Sequence, residues 1–152
     1  MTPDELLAFM RSEPYAVEAS VSPSNRSQAA VVGIAISDSF DIVFDTVSTS
    51  RKAENLRRNP AIAFVIGGTR PGDERTVQYE GVADVPSGEE LRRVQEIYFS
   101  VFPSGRDRLS WPGLIHIRVT PTWIRYSNYN AQPPEIVEFT AEALSTPPGP
   151  RF

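Results

Sequence analysis

The chain has 152 residues, no cysteine and a formal net charge of −4 at pH 7. This length predicts one domain that buries a core without disulfides or thiolate metal sites. The acidic balance argues against a general nucleic-acid binder, and no apolar run approaches the roughly 20 residues of a membrane-spanning helix. Without a signal-peptide pattern or cysteines, the sequence predicts a cytoplasmic protein.

The first segments predict a helix followed by a strand. Thr2-Pro3-Asp4-Glu5 has the pattern of a capping box, with threonine as the N-cap and glutamate three residues later, and Pro14 ends the helix. The next stretch alternates between two faces and predicts a strand. Its apolar face carries Tyr15, Val17, Ala19 and Val21.

Two further strands are predicted before the first strongly basic stretch. Gln28 to Ser37 is apolar on both faces over residues 29–36, and Asp41 to Val47 follows a short turn. A strand that is apolar on both faces has to be covered on both. The pattern therefore indicates that a partner subunit covers one face of the barrel.

The basic stretch contains Lys52, the only lysine beside fourteen arginines. It follows the hydroxyl pair Thr49-Ser50 and lies near the start of a helix predicted over residues 51–59. A helix start presents unpaired backbone N–H groups and a partial positive charge, which favour phosphate binding. The stretch therefore predicts either a phosphate site, with Arg51 and Lys52 as ligands, or a solvated basic turn.

The second half predicts three strand regions and one helix. Strands are expected at residues 61–66 and 75–85, separated by a glycine-rich hairpin loop. Ser87-Gly88-Glu89-Glu90 has the capping-box pattern and opens a helix, and residues 104–112 are expected to form a loop. Residues 114–126 form either two strands or one strand bent at Pro121. After Asn130 a proline-rich extended arm is expected.

Short links between these strands predict a mainly antiparallel sheet that closes into a barrel.

The usual enzyme motifs are absent from the sequence. Neither the dinucleotide fingerprint nor the phosphate-binding loop of nucleoside triphosphatases occurs, and no metal-ligand spacing is present. The single histidine, His116, is expected to be a packed strand residue. Trp111 lies in a loop and is expected either to cover a planar ligand or to plug the surface. These features predict a phosphate-bearing ligand, with any reaction carried by a cofactor.

Three stretches resemble the pyridoxamine 5'-phosphate oxidase-like family of FMN-binding split barrels. The most specific is Ile42 to Ala63, in which a strand ending near threonine is followed by serine-arginine-lysine, asparagine-leucine and asparagine-proline. Arg75 to Ala83 and Ile117 to Tyr126 resemble later strands of the family, in the same order.

The resemblance implies a six-stranded antiparallel split β-barrel with short flanking helices. It implies an FMN-binding domain over residues 1–130, with residues 131–152 as a proline-rich arm of that domain. It also implies a homodimer that holds FMN in a cleft between subunits, and a flavin-dependent oxidoreductase whose catalytic residues and substrate are not identified. The implied cofactor-binding residues are Thr46, Ser50, Arg51 and Lys52 around the phosphate and Thr76 near the flavin ring. Trp111 has no role in the family pattern and is a candidate cofactor-binding residue only because of its position in a loop.

The sequence departs from the true oxidases at three places. The arginine and lysine that they carry on one strand are missing from Ala30 to Ala35, and Asp45 stands where they often have tyrosine. Their C-terminal substrate-binding motif is replaced by the stretch Ser127 to Pro134. We therefore expect pyridoxamine 5'-phosphate to be a poor substrate. The alternatives are a split barrel that binds a deazaflavin or haem, and a non-enzymatic β-barrel binding module.

Overall fold

A computed structural model describes residues 1–145 of the chain. The helices are α1 (Pro3–Ser12), α2 (Arg51–Arg58), α3 (Gly88–Val101) and α4 (Ala141–Ser145), with a 3-10 helix at Pro103–Ser110. The strands are β1 (Tyr15–Val21), β2 (Ser27–Gly33), β3 (Ala35–Ile36), β4 (Ile42–Val47), β5 (Ala61–Gly67), β6 (Arg75–Asp84), β7 (Leu114–Asn128) and β8 (Glu135–Thr140).

The strands form one antiparallel sheet in the order β2-β1-β5-β6-β7-β4-β3, and β8 pairs with β7. The sheet curls until β2 contacts β4, which brings its two ends together. The predicted mainly β split barrel with short flanking helices is therefore confirmed. The strand count is eight in the described residues rather than the predicted six.

One additional strand arises because the predicted second strand breaks in two. The backbone N–H of Ile34 leaves the ladder and donates to the Pro14 carbonyl at 2.8 Å. At Gly33 the Phe102 ring packs so closely that a Cβ atom would lie 2.8 Å from it. This close approach favours glycine at position 33, and the departure of Ile34 from the ladder separates β2 from the two-residue strand β3.

The predicted extended arm contains the other additional strand. Residues 135–140 form β8 and residues 141–145 form α4, whereas residues 146–152 of the arm lie outside the described residues. The predicted bend at Pro121 occurs within a single strand, β7. The β6–β7 register shifts between Glu80 and Gly81, opposite Pro121 and Trp123. A Cβ atom at Gly81 would lie 2.5 Å from the Thr120 carbonyl oxygen, so glycine permits the bulge.

The two predicted capping boxes have different outcomes. At α1 the box is confirmed, because Glu5 N donates to Thr2 Oγ1 at 3.2 Å and Thr2 N donates to Glu5 Oε2 at 2.6 Å. At α3 the helix begins where expected, but Ser87 makes no side-chain cap. Glu90 instead accepts a hydrogen bond from Arg118 at 2.6 Å, so the predicted capping role of its carboxylate is wrong. The loop expected at 104–112 contains the 3-10 helix.

The burial pattern of β1 shows which of its side chains lie inside the barrel. Ala16, Glu18 and Ser20 are buried, whereas Tyr15 and Val17 on the alternating apolar face are exposed. The main core fills the rest of the interior with aliphatic and aromatic side chains such as Phe44, Phe64, Ile66, Val77 and Ile124. The β1 strand therefore presents polar groups inward, beneath helix α2.

Candidate functional site

Four of the predicted site residues come together where β4 leads into α2. Ser50 is the N-cap of α2, and its Oγ accepts a hydrogen bond from Ala53 N at 3.2 Å. Thr46, near the end of β4, donates from Oγ1 to Ser50 Oγ at 2.9 Å. Arg51 and Lys52 follow as the first two residues of the helix. The two hydroxyls thus fix the turn that places both cations at the helix start.

A cavity of about 200 Å³ lies beside this helix start, between α2 and the inner faces of β1 and β2. Arg51 and Lys52 line it, together with polar groups of the two strands. In residues 1–145, neither cation makes a hydrogen bond or an ion pair. Ala29 and Ala30 of β2 also line the cavity, and the small side chain of Ala30, which pairs with Glu18 on the cavity face, leaves it open. Ala30 begins the stretch, Ala30 to Ala35, that lacks the arginine and lysine expected from the family resemblance.

The cavity contains one buried acid, Glu18, which is 2% exposed. Its Oε2 atom has no hydrogen-bond partner among the described residues. Burial raises the pKa of Glu18 above its ordinary value of 4.5, and the positive charge of Lys52 opposes part of this increase. The carboxyl group is therefore held in an environment that favours its protonated form.

Polar side chains beside Glu18 attach α2 to the two strands. Asn55 Nδ2 donates to Ser20 Oγ at 3.0 Å and to Gln28 Oε1 at 2.9 Å. Asn55 and Ser20 are each 3% exposed, so these bonds form in the interior. They fix the helix over the cavity and leave Glu18 as the unpaired group.

The other two predicted site residues lie in different places. Trp111 is 54% exposed, in a loop that contacts the turn before α2 through a 2.7 Å hydrogen bond from Ser48 N to Gly113 O. Trp111 therefore belongs to the α2 end of the molecule. Thr76 pairs with Ser127 at the far end of β7, whereas Thr46 pairs with Ile115 at its beginning. Within one chain, Thr76 is not brought to the cavity.

A second cluster of charged side chains lies between α3, the 3-10 helix and strands β4 and β7. Arg108 Nε donates to Asp45 Oδ2 at 2.8 Å, and Tyr98 donates its hydroxyl to Asp45 Oδ1 at 3.2 Å. Arg108 Nη2 also donates to the Tyr98 hydroxyl at 3.0 Å. Burial raises the pKa of Tyr98 to about 12. Asp45, which replaces the frequent tyrosine of the family, therefore anchors the two helices.

His116 lies next to this second cluster and is 2% exposed. The rings of Tyr98 and Phe99 pack against it at 5.5 and 5.6 Å between centroids. Its Nε2 atom has no partner in the described residues, and burial lowers its pKa. The prediction of a packed strand histidine is confirmed.

Among residues 1–145, no group of three or more histidine, cysteine, aspartate or glutamate side chains has the geometry of a metal site. Over the same residues, no helix combines the length and apolar character needed to cross a membrane. Sequence reasoning missed the strand residues Glu18, Ser20 and Gln28 and the helix residue Asn55. The available signal was the polar alternation of Glu18 and Ser20 within an otherwise apolar strand.

Solved structures with the same fold have low sequence identity to this chain. A haem-binding protein from Mycobacterium smegmatis gives a TM-score of 0.80 at 15% identity, over 95% of this chain and 60% of its own. This chain therefore spans less than two thirds of that protein. A pyridoxamine 5'-phosphate oxidase-related FMN-binding protein from Nostoc punctiforme gives a TM-score of 0.68 at 14% identity, over 90% of this chain and 87% of its own.

The haem storage protein of Vibrio cholerae gives a TM-score of 0.69 at 16% identity, covering 92% of this chain and 95% of its own. At such identities these likenesses establish the fold and leave the ligand open. No curated protein matches the chain in sequence. The model of the pyridoxamine 5'-phosphate oxidase family matches residues 2–128. Because this match spans most of the sequence, the chain belongs to the pyridoxamine 5'-phosphate oxidase family.

Proposed function

We propose that this protein binds FMN, with its phosphate at the start of α2 in contact with Lys52 and Arg51. The observation that carries the proposal is a pair of cations without partners in residues 1–145, lining a cavity of about 200 Å³ at a serine-capped helix start. Helix starts and cationic side chains both favour a phosphate group. When bound, FMN would supply hydride or electron transfer, as in a flavin-dependent oxidoreductase.

The residues of the cavity fit a phosphate in chemistry as well as charge. Thr46 and Ser50 hold the helix start in place, and their linked hydroxyls lie at the same turn. Ser20 and Gln28 add polar groups to the cavity wall. Glu18 is the exception, because an ionised carboxylate would repel a phosphate. A protonated Glu18 carries no charge and does not repel the phosphate. Its carboxyl O–H can then donate a hydrogen bond from Oε2, which has no partner in residues 1–145.

Haem is a weaker candidate, although a haem-binding protein and a haem storage protein share this fold. The single histidine of the chain is buried against Tyr98 and Phe99, away from the residues that line the cavity. A phosphorylated deazaflavin would present the same anionic group to Lys52 as FMN does. It therefore remains the alternative cofactor. We propose a substrate other than pyridoxamine 5'-phosphate, because residues 127–134 lack the substrate-binding motif of the true oxidases.

We also propose that the protein is a homodimer with the cofactor at the subunit interface. Val31, Val17 and Val65 form a row across β2, β1 and β5, and they are 67%, 38% and 47% exposed. This row of exposed valines is continuous with β2, which ends the sheet. The opposite face of β2 carries Gln28 and Ala30 into the cavity, so a partner on β2 would also close the cofactor site.

Light scattering tests the dimer, with an expected mass near twice the 16.9 kDa of the chain. Val31→Glu places a charge in the exposed valine row and should shift the protein towards monomer. Val101→Glu, which places the same charge at an exposed valine of α3, is the matched control. A mass near 16.9 kDa for the unchanged protein at micromolar concentration would overturn the dimer.

Titration of the purified protein with FMN tests the proposed cofactor. Quenching of flavin fluorescence should saturate at one FMN per chain, with riboflavin binding more weakly because it has no phosphate for Lys52. Parallel titrations with haem and a phosphorylated deazaflavin separate the alternatives. A protein that binds haem but leaves FMN fluorescence unchanged would refute the proposal.

A further inference from the structure

Glu18 is the feature of the cavity that phosphate binding alone does not explain. It is 2% exposed, it lines the cavity, and its Oε2 has no partner in residues 1–145. A buried carboxylate without a full set of hydrogen bonds is unfavourable by several kcal/mol unless it is neutral or paired. Lys52 is near enough to act on it electrostatically, yet no ion pair joins the two among the described residues.

Few charged side chains lie close enough to Glu18 to affect its ionisation. From α2, the cavity is lined by Arg51 and Lys52. From β2, the neighbours are the uncharged Gln28 and Ala30, and the β5 residue paired with Glu18 is Phe64. Two cations and one acid therefore share the space, and an incoming anion would meet all three.

An anion that enters the cavity changes the electrostatic environment of Glu18. Without an anion, burial favours the protonated form of Glu18, and the nearby positive charge of Lys52 opposes this in part. An anion bound to Lys52 neutralises that charge and adds its own, and both effects favour protonated Glu18. The protonated carboxyl can then donate a hydrogen bond to an anion oxygen from the position that lacks a partner in the free protein.

We infer that Glu18 takes up a proton when a phosphate binds in this cavity, so that the acid makes cofactor binding sensitive to pH. This inference rests on the proposed phosphate site and adds that pH regulates binding there. Because binding takes up a proton, affinity falls as the pH rises through the pKa of Glu18 in the free protein. That pKa lies above 4.5, so the fall begins above the usual carboxylate range.

The test compares FMN affinity in the unchanged protein and in Glu18→Gln between pH 5 and pH 9. The phosphate of FMN itself ionises near pH 6, about the second pKa of a phosphate monoester. That effect is common to both proteins and cancels in the ratio of their dissociation constants. The dissociation constant of the unchanged protein, divided by that of the variant, should rise with pH. Above the pKa of Glu18 in the free protein, the rise should approach about tenfold per pH unit. Glu80→Gln, an exposed glutamate, should leave the ratio near one at every pH.

A second measurement does not depend on the folding of the variant. Calorimetric titration of the unchanged protein in buffers of different ionisation enthalpy should show proton uptake on FMN binding. A ratio that is constant with pH, or FMN binding without proton uptake, would overturn the inference and leave the phosphate site intact. The same series with inorganic phosphate probes the site without the flavin. If neither FMN nor inorganic phosphate binds at any pH, both the inference and the proposed function fail.

Discussion

Two charged clusters join helices to the sheet in this barrel, and they differ in how their charges are partnered. In the cluster of Asp45, Tyr98 and Arg108, each of the three side chains makes at least two of the bonds among them, at 2.8 to 3.2 Å. In the cluster beneath α2, Lys52 and Glu18 share a cavity without a hydrogen bond or ion pair between them in the described residues. Both clusters join helices to the sheet, but only the second leaves space for a ligand.

We interpret the first cluster as structural and the second as part of the proposed binding site. A paired, hydrogen-bonded cluster fixes one conformation of the groups that form it. Unpaired charges next to a cavity do not stabilise the fold, and a bound ligand can supply their missing partners. The comparison therefore predicts that mutations in the two clusters have opposite consequences for stability and for binding.

The largest expected effect is on stability, in the paired cluster. Arg108→Met removes both bonds donated by the guanidinium group and leaves Asp45 mostly buried with a single partner. Leaving a buried charged group without its partner lowers the free energy of unfolding by about 2–3 kcal/mol. Urea denaturation measures the change. FMN affinity should stay within about twofold, since Arg108 does not line the cavity. A stable variant that has lost FMN binding would reverse the roles of the two clusters.

A smaller effect is expected from the ionisation of Glu18 in the protein without ligand. Its folded pKa is raised by burial, so the unfolded chain releases the proton first as the pH rises. The contribution of Glu18 to stability is full below pH 4.5 and is lost as the pH rises through the folded pKa. Glu18→Gln should therefore gain stability relative to the unchanged protein as the pH rises from 5 to 8. Thermal melts at both pH values measure this difference, and an unchanged difference would mean that Glu18 titrates normally.

The smallest expected effect is that of the helix-start cations on folding. Arg51 is exposed, and neither Arg51 nor Lys52 has a bonded partner in residues 1–145. Replacing either by alanine should change the free energy of unfolding by less than about 0.5 kcal/mol. Arg58→Ala, at the other end of α2, is the matched control. If Lys52→Ala lowered the free energy of unfolding by several kcal/mol, the cluster beneath α2 would also be structural.

The candidate-site residues that could be predicted from the sequence are those contiguous in the chain. Thr46, Ser50, Arg51 and Lys52 fall within seven residues, so a strand end, a turn and a helix start are enough to bring them together. Glu18 comes from β1, and its place beneath α2 depends on a sheet order that local patterns do not encode. Thr76 was placed by resemblance, and the length of β7 separates it from the cavity in one chain.

The β1 strand shows a second reason why the prediction was incomplete. An alternating strand normally turns its apolar face to the core. Here Tyr15 and Val17 are exposed while Glu18 and Ser20 are buried. The inversion is physically reasonable if a partner covers the apolar face and a ligand completes the polar one. The periodicity of β1 alone predicts neither a partner on one face nor a ligand on the other.

The central claim is that Lys52 binds the phosphate of FMN, and the ratio of FMN to riboflavin affinity tests it most directly. Riboflavin has the same ring system and no phosphate. A charge-assisted hydrogen bond contributes about 1.5–3 kcal/mol, so Lys52→Ala should weaken FMN by roughly tenfold to a hundredfold. Riboflavin affinity should be nearly unchanged, and the ratio should fall towards one. Equal FMN affinity in the unchanged protein and in Lys52→Ala would contradict the account.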